Sequence, residues 1–174
     1  MPNINFKSIP ALKPRYEYEF RLIPDGWYLA EIIKITPEFQ PSGVERWTIL
    51  WVTLGGEYKE VAVKDWLHWG DEDDGPRSEQ ALARCKVVCK AIGIDVEAAG
   101  SVDIKPENLI GGIAHIKTKQ RPDRIDKAKK YVNIEHDGFK AATKAEISNI
   151  HAEAAKVAMG LAGNREPGDD DIPF

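Results

Sequence analysis

The sequence has no long apolar run and few cysteines, and these absences exclude several classes of protein. No stretch of the 174 residues approaches the roughly 20 consecutive apolar residues that a membrane-spanning helix needs. The N-terminal residues MPNINFKSIP lack the apolar block of a secretory signal peptide. We therefore expect a protein of the cytoplasm, with no membrane partner.

The two cysteines, Cys85 and Cys89, are four residues apart in a stretch with helical periodicity. This spacing places both on one helix face beside Leu82 and Ile92, which predicts buried free thiols rather than a disulfide. A structural zinc site would need two further ligands at a suitable spacing, and none lies nearby in the sequence. We expect neither a metal nor another cofactor.

The net charge is small, but the charge is unevenly distributed. Lys and Arg number 24 and Asp and Glu 28, for a formal net charge of −4. Residues 165–174 contain one Arg and four acids, so the rest of the chain is nearly neutral. The net charge therefore argues against a simple polyanion-binding protein, and a nucleic-acid site must arise from local segregation of charge.

Hydrophobic periodicity predicts five strands and two helices. The strands are predicted at residues 27–36, 45–54, 58–69, 113–121 and 129–136, with Pro37 ending the first, and the helices at residues 78–93 and 143–163. In the second helix, Thr143 and Glu146 have the spacing of a capping box.

This order predicts a mainly β fold with helices: a five-stranded OB-type barrel with a helix between strands three and four. Other small β-barrels fit the same order. The predicted organisation is an N-terminal arm (1–20), the barrel domain (21–140), a C-terminal helix (141–162) and a flexible acidic tail (163–174). The helix has an apolar stripe that must dock on the barrel or on a second subunit, so a homodimer is one expectation.

Tryptophans and lysines on strands two and three are the first candidate binding residues. We expect the aliphatic faces of these strands to be interior, which aims the other faces outward. The outward residues of interest are Trp47, Trp51, Lys64 and Trp66. Exposed indoles beside ammonium groups suit unstacked bases and their phosphates. The alternative is that these indoles cap the core or lie under the C-terminal helix.

A basic segment between His115 and Lys130 is the second candidate. Its seven cations, set against Asp123 and Asp126, are Lys117, Lys119, Arg121, Arg124, Lys127, Lys129 and Lys130, and Tyr131 follows. The segment spans a strand, a loop and a strand, which predicts a finger that closes over a phosphate backbone. The alternative is an ordinary solvated surface.

The last residues, DDDIPF, carry the most specific motif. They resemble the acidic C-terminal tip of bacterial single-stranded DNA-binding proteins, and the chain from IPDGWYLAEI to KKYVNI resembles a family of phage-encoded single-stranded DNA-binding proteins. In the resembled proteins the tip recruits replication and repair enzymes. The resemblance assigns that role to Asp169, Asp170, Asp171, Ile172, Pro173 and Phe174. A merely solubilising tail would explain the acids but not the final apolar residues.

We therefore expect a non-enzymatic protein that binds single-stranded DNA without sequence preference and protects it during phage DNA replication, recombination and repair. Its compartment would be the cytoplasm of the host cell. Two alternatives remain open. One is a recombination protein that anneals strands. The other is a metal-dependent nuclease using His68 with Asp71, Glu72, Asp73 and Asp74, although consecutive acids in a loop more often form a solvated turn.

Overall fold

The computed structural model describes residues 16–41, 43–68, 76–96 and 104–163, which form one antiparallel five-stranded sheet and three helices. In chain order the elements are β1 (Gly26–Phe39), β2 (Glu45–Thr53), β3 (Ala62–His68), α1 (Pro76–Ala91), α2 (Pro106–Leu109), β4 (Ile113–Pro122), β5 (Lys130–Ala141) and α3 (Lys144–Gly163). The strand order is β3-β2-β1-β4-β5, with β3 and β5 at the two edges of an unclosed sheet. The predicted mainly β class and the helix between strands three and four are confirmed.

The core lies between one face of the sheet and α1. Strand pairing sets its composition, because residues opposite each other point to the same face. Trp51 is opposite Val63, and Trp47 is opposite Leu67. All four side chains are buried in one apolar cluster with Cys85 and Cys89 of α1, so the prediction of buried, free thiols is confirmed.

The prediction that Trp47 and Trp51 face outward is therefore wrong. Both faces of β2 are apolar, and the indoles rather than the aliphatic side chains take the larger core. Leu50 and Val52 instead join Ala62 in a second, smaller cluster on the opposite face. The faces assigned to strand three are correct, since Val63 and Leu67 are buried and Lys64 and Trp66 are exposed.

β1 is longer than predicted, because Pro37 does not end it. Pro37 lies opposite Trp47 in the ladder between β1 and β2. On its other side, β1 pairs with β4 only from Gly26 to Glu31. Because β1 forms no ladder with β4 at Pro37, the missing N–H of this proline costs no strand-pairing hydrogen bond on that side.

Residues 16–20, predicted to belong to the arm, lie against the sheet. Glu19 bridges Val61 in parallel orientation, its amide donating to Glu60 O at 3.1 Å and its carbonyl accepting from Ala62 N at 2.8 Å. The Tyr16 hydroxyl donates to the buried Glu31 carboxylate at 2.5 Å. These contacts fix the path of the chain that enters β1.

The helices differ in how they contact the sheet. α1 packs on β3, β4 and β5 through its buried face, although Leu82, predicted to pack, is exposed. α3 begins with the predicted capping box, in which the amide of Glu146 donates to Thr143 Oγ1 and that of Thr143 to Glu146 Oε2. Val157 and Met159 on α3 are exposed. No helix in the described ranges is both long and apolar enough to cross a membrane.

Candidate nucleic-acid interface

A groove lies where the two edge strands approach each other. It has a volume of about 450 Å³. One wall comes from the chain before β1 and from β3, and the other from the start of β5 and the loop that precedes it. The lining residues are Phe20, Arg21, Leu22, Ala62, Val63, Lys64, Trp66, Asp123, Lys130, Tyr131 and Val132. We refer to this feature as the seam groove.

The seam groove combines exposed rings with cations. Phe20 is 60% exposed, Tyr131 37% and Trp66 36%, so each offers part of a ring to solvent. The Lys64 ammonium lies 5.2 Å from the centre of the Phe20 ring, a cation–π distance. Arg21 and Lys130 add two further cations to the lining. A ligand that combines planar rings with negative charges is complementary to this groove.

Arg84 of α1 connects the two edge strands, β3 and β5, through its hydrogen bonds. Its Nη2 donates to Asp65 Oδ1 of β3 at 2.6 Å, and its Nη1 donates to the carbonyls of Glu135 and His136 of β5 at 3.1 and 2.7 Å. Burial raises the pKa of Asp65 above its usual value, although the adjacent guanidinium opposes this shift. The walls of the seam groove are thus linked by one side chain.

The loop at residues 123–129 and the adjoining ends of β4 and β5 form a projection, here named the β4–β5 finger. The Asp123 carboxylate accepts hydrogen bonds from the amides of Ile125 and Asp126 at 2.8 and 3.1 Å. These bonds lower the pKa of Asp123 and keep the turn in one conformation. Ile125 at the turn is 98% exposed. The finger therefore presents an apolar tip surrounded by cations.

The residues predicted to bind nucleic acid fall into three groups. Lys64, Trp66, Lys130 and Tyr131 lie together in the seam groove. Lys117, Lys119 and Arg121 lie on the outer face of β4, and Arg124, Lys127 and Lys129 lie in the finger loop. Trp47 and Trp51 are in the core, away from solvent. The tip at residues 169–174 lies outside the described residues.

Some cations of β4 and of the β4–β5 finger are already paired with acids. The Lys117 ammonium lies 2.8 Å from Glu135 Oε2, and this hydrogen bond lowers the pKa of Glu135. Lys129 lies 4.0 Å from Asp126 Oδ2, with both side chains exposed. Such exposed pairs contribute little to stability, so they exchange readily for a phosphate.

Sequence reasoning missed Phe20 and Arg21 in the groove. Phe20 ends the predicted arm and Arg21 begins the predicted barrel domain, and both precede the first predicted strand in a stretch without periodicity. Their position depends on the bridge between Glu19 and Val61, a contact between distant parts of the chain. The one local signal was the cluster of aromatic residues in YEYEF, residues 16–20.

The acids of the proposed nuclease site, residues 71–74, lie outside the described residues. Within the described ranges, no group of three or more His, Cys, Asp or Glu side chains is arranged to hold a metal ion. His68 is partly buried, and desolvation lowers its pKa, with the Arg46 charge acting in the same direction.

Comparison with known proteins adds no assignment: no protein-family model matches this chain, and no curated protein matches its sequence.

Proposed function

We propose that this protein binds single-stranded DNA in the seam groove. The observation that carries the proposal is the presence of three exposed rings and three cations in one groove formed by distant parts of the chain. Stacking on aromatic rings needs bases whose faces are free, and a duplex keeps those faces stacked within its own helix. The groove chemistry therefore favours a single strand over a duplex.

Each groove residue has a defined role in this proposal. Trp66, Phe20 and Tyr131 stack on bases, at about 1–3 kcal/mol per base. Lys64, Arg21 and Lys130 neutralise phosphates, each adding about 0.7 to the salt slope of a single strand. None of these contacts depends on base identity, because every base has a π face. Binding is thus independent of sequence.

We further propose that the sheet is an OB-type barrel whose open seam is the binding side. Three features support this. The strand order places β3 and β5 at the edges, the two strands contact each other, and α1 packs on both. OB-folds are partly open five-stranded barrels that bind oligonucleotides on strands two and three and on the loop between strands four and five. The seam groove uses β3 and that loop.

The biological role and partners follow from the sequence resemblance. We propose that the protein coats and protects single strands during phage DNA replication, recombination and repair. Its acidic tip, residues 169–174, would recruit replication and repair enzymes. A partner needs only an apolar pocket for Phe174 with a basic rim for the carboxylates.

The test is fluorescence anisotropy with a labelled dT oligonucleotide of about 20 nucleotides and a duplex of equal length, a choice that covers the usual 4–16-nucleotide site. The label must be on the DNA, because the buried Trp47 and Trp51 would obscure intrinsic fluorescence. We expect tight single-strand binding and much weaker duplex binding. Equal affinity for both forms would refute the proposal.

Matched variants assign the site. Lys64→Ala should reduce the single-strand salt slope by about 0.7, whereas Lys86→Ala, which removes an exposed lysine of α1, should leave it unchanged. Equal effects of the two variants would mean that charge acts without a defined groove. A strand-annealing assay and a metal-dependent cleavage assay with the same oligonucleotide test the two alternatives.

A further inference from the structure

A second aromatic side chain paired with a lysine lies outside the seam groove. Trp27 of β1 is 40% exposed on the outer face of the sheet. The Lys140 ammonium of β5 lies 4.1 Å from the centre of its ring. The arrangement repeats that of Phe20 and Lys64 in the groove, where the corresponding distance is 5.2 Å. Two separate parts of the surface thus carry the same pair of groups.

A row of cations on β4 connects the two places. Tyr131, which lines the groove, is opposite Arg121 in the β4–β5 ladder. Trp27 is opposite Lys117 in the β1–β4 ladder. Lys119 lies between them, and alternate residues of a strand share one face about 7 Å apart. The outer face of β4 therefore carries three cations in sequence from the groove to Trp27.

Among the described residues, two carboxylates contact basic side chains on this face. Glu135 contacts Lys117, and Glu146 of α3 contacts His115 at 3.0 Å. Lys119, Arg121 and Lys140 remain as an excess of positive charge over these two carboxylates. A row of alternating cations ending at an exposed indole matches the regular phosphates of a strand and one of its bases.

We propose that a single strand leaving the seam groove at Tyr131 continues along β4 and stacks a base on Trp27. This proposal rests on the proposed function of the groove. In the free protein the Lys140 ammonium occupies the ring face. The incoming base takes that face, and the released ammonium contacts the adjoining phosphate. The binding site is therefore longer than the groove alone.

Oligonucleotide length separates this second site from the groove. The test compares labelled dT of about 3 nucleotides, one for each exposed ring of the groove, with dT of about 20, which exceeds the usual site of one OB-fold. Trp27→Ala should weaken binding of the long oligonucleotide about fivefold or more and leave the short one unchanged. Trp66→Ala should weaken both. Trp27→Phe, which keeps a ring, should restore most of the long-oligonucleotide affinity.

Other results would contradict the proposal. If Trp27→Ala binds the long oligonucleotide as well as the native protein does, no base stacks on Trp27, while the groove proposal stands. If the native protein binds neither oligonucleotide, both proposals fail. If Trp27→Ala weakens the binding of both oligonucleotides equally, Trp27 supports the structure of the groove and does not stack on a base. A thermal melt of the variant identifies that case. Lys140→Ala should lower the salt slope by about 0.7 with the long oligonucleotide only.

Discussion

Trp51 and Trp66 are alike in chemistry and opposite in environment. Trp51 is fully buried and packs against Phe139, with ring centres 5.9 Å apart, whereas Trp66 faces the seam groove. Trp51→Ala should therefore destabilise the fold by about 3–5 kcal/mol, since it leaves a large cavity. Trp66→Ala should change stability little and weaken single-strand binding by about 1–3 kcal/mol.

Urea unfolding and oligonucleotide anisotropy measure these two effects separately. Leu82→Ala on α1 is the control, because it removes an exposed apolar side chain that does not line the groove. If Trp66→Ala unfolds at as low a urea concentration as Trp51→Ala, Trp66 has a packing role and is not a base-stacking residue of the groove.

Glu135 restrains one cation of the β4 row. Glu135→Gln should free the Lys117 ammonium for a phosphate, raising the single-strand salt slope by about 0.7 and the affinity several-fold at low salt. Asp137→Asn removes the same charge from β5 without breaking that pair, and it is the matched control. Identical gains in both variants would attribute the effect to net charge alone.

The gain should not depend on pH in the neutral range. Lys117 holds the pKa of Glu135 below its usual value, so the carboxylate stays ionised well below neutrality. The native protein should approach the Glu135→Gln variant only as acid begins to protonate Glu135. Anisotropy at pH 6 and pH 8 checks this expectation.

At the scale of elements, Arg84 joins β3 to β5 through α1. Arg84→Ala leaves Asp65 buried without its ion pair, and breaking such pairs costs about 3–5 kcal/mol. Without the guanidinium, the largest opposition to burial is gone, so the folded-state pKa of Asp65 rises further above the unfolded value. A raised pKa favours folding below the unfolded pKa, and that contribution is lost as pH rises through the folded pKa. The loss in the free energy of unfolding caused by Arg84→Ala should therefore be smaller in acid than at pH 8.

Urea unfolding of the native and variant proteins at pH 5 and pH 8 tests this. A deficit that is equal at the two pH values would mean that Asp65 is not the group left unpaired. Arg84→Met with Asp65→Asn is the companion variant, which removes both charges and should recover part of the stability.

The apolar stripe of α3 is the element most in need of a partner. Ile147, Ile150 and Ala154 are half-buried, and Val157 is exposed. If a second subunit covers this stripe, sedimentation should give a dimer mass, and Ile150→Glu should give a monomer. Ala152→Glu on the opposite face should remain dimeric. If the native protein sediments as a monomer, and deleting residues 141–164 leaves that oligomeric state unchanged, the homodimer is refuted.

The elements follow from the sequence more directly than the site does. In strand three the aliphatic Val63 and Leu67 share one face and Lys64 and Trp66 share the other, so these faces could be predicted, although the burial of Asp65 between Val63 and Leu67 could not. Strand two is apolar on both faces, and only its pairing with Val63 and Leu67 decides that Trp51 is interior. Phe20 reaches the groove through the chain pairing at Glu19, which no local pattern encodes. Local sequence patterns therefore predict the strands and helices, whereas the groove depends on pairings between residues that are distant in the sequence.

At the scale of the whole molecule, opposite charges are concentrated in different segments. The β4–β5 finger is basic, and the last six residues contain three aspartates. The Gly- and Pro-containing sequence before the tip predicts a linker whose reach for n residues is roughly 5–6 Å × √n, so we expect the tail to compete weakly with DNA for the groove. Deleting residues 169–174 should raise single-strand affinity several-fold at low salt and less at high salt, where exposed charges are screened.

The same deletion should abolish binding to repair enzymes. Phe174→Ala should lose those partners while keeping most of the competition with DNA, because the aspartates remain. Anisotropy over a range of salt measures the competition, and pull-down with host replication and repair proteins measures recruitment. Unchanged affinity at every salt concentration would refute the competition, and retained partners would refute the role of the tip.

The buried thiols make the native chain a convenient background for site-specific labelling. Burial, together with the neighbouring Cys89, raises the pKa of Cys85 to about 12, and burial also raises the pKa of Cys89. Neither holds appreciable thiolate at neutral pH, and the thiolate is the nucleophile that attacks an alkylating dye. A cysteine placed by Ile125→Cys at the tip of the β4–β5 finger would therefore take a fluorophore selectively. Closure of the finger over a strand could then be followed on single molecules without removing a native cysteine.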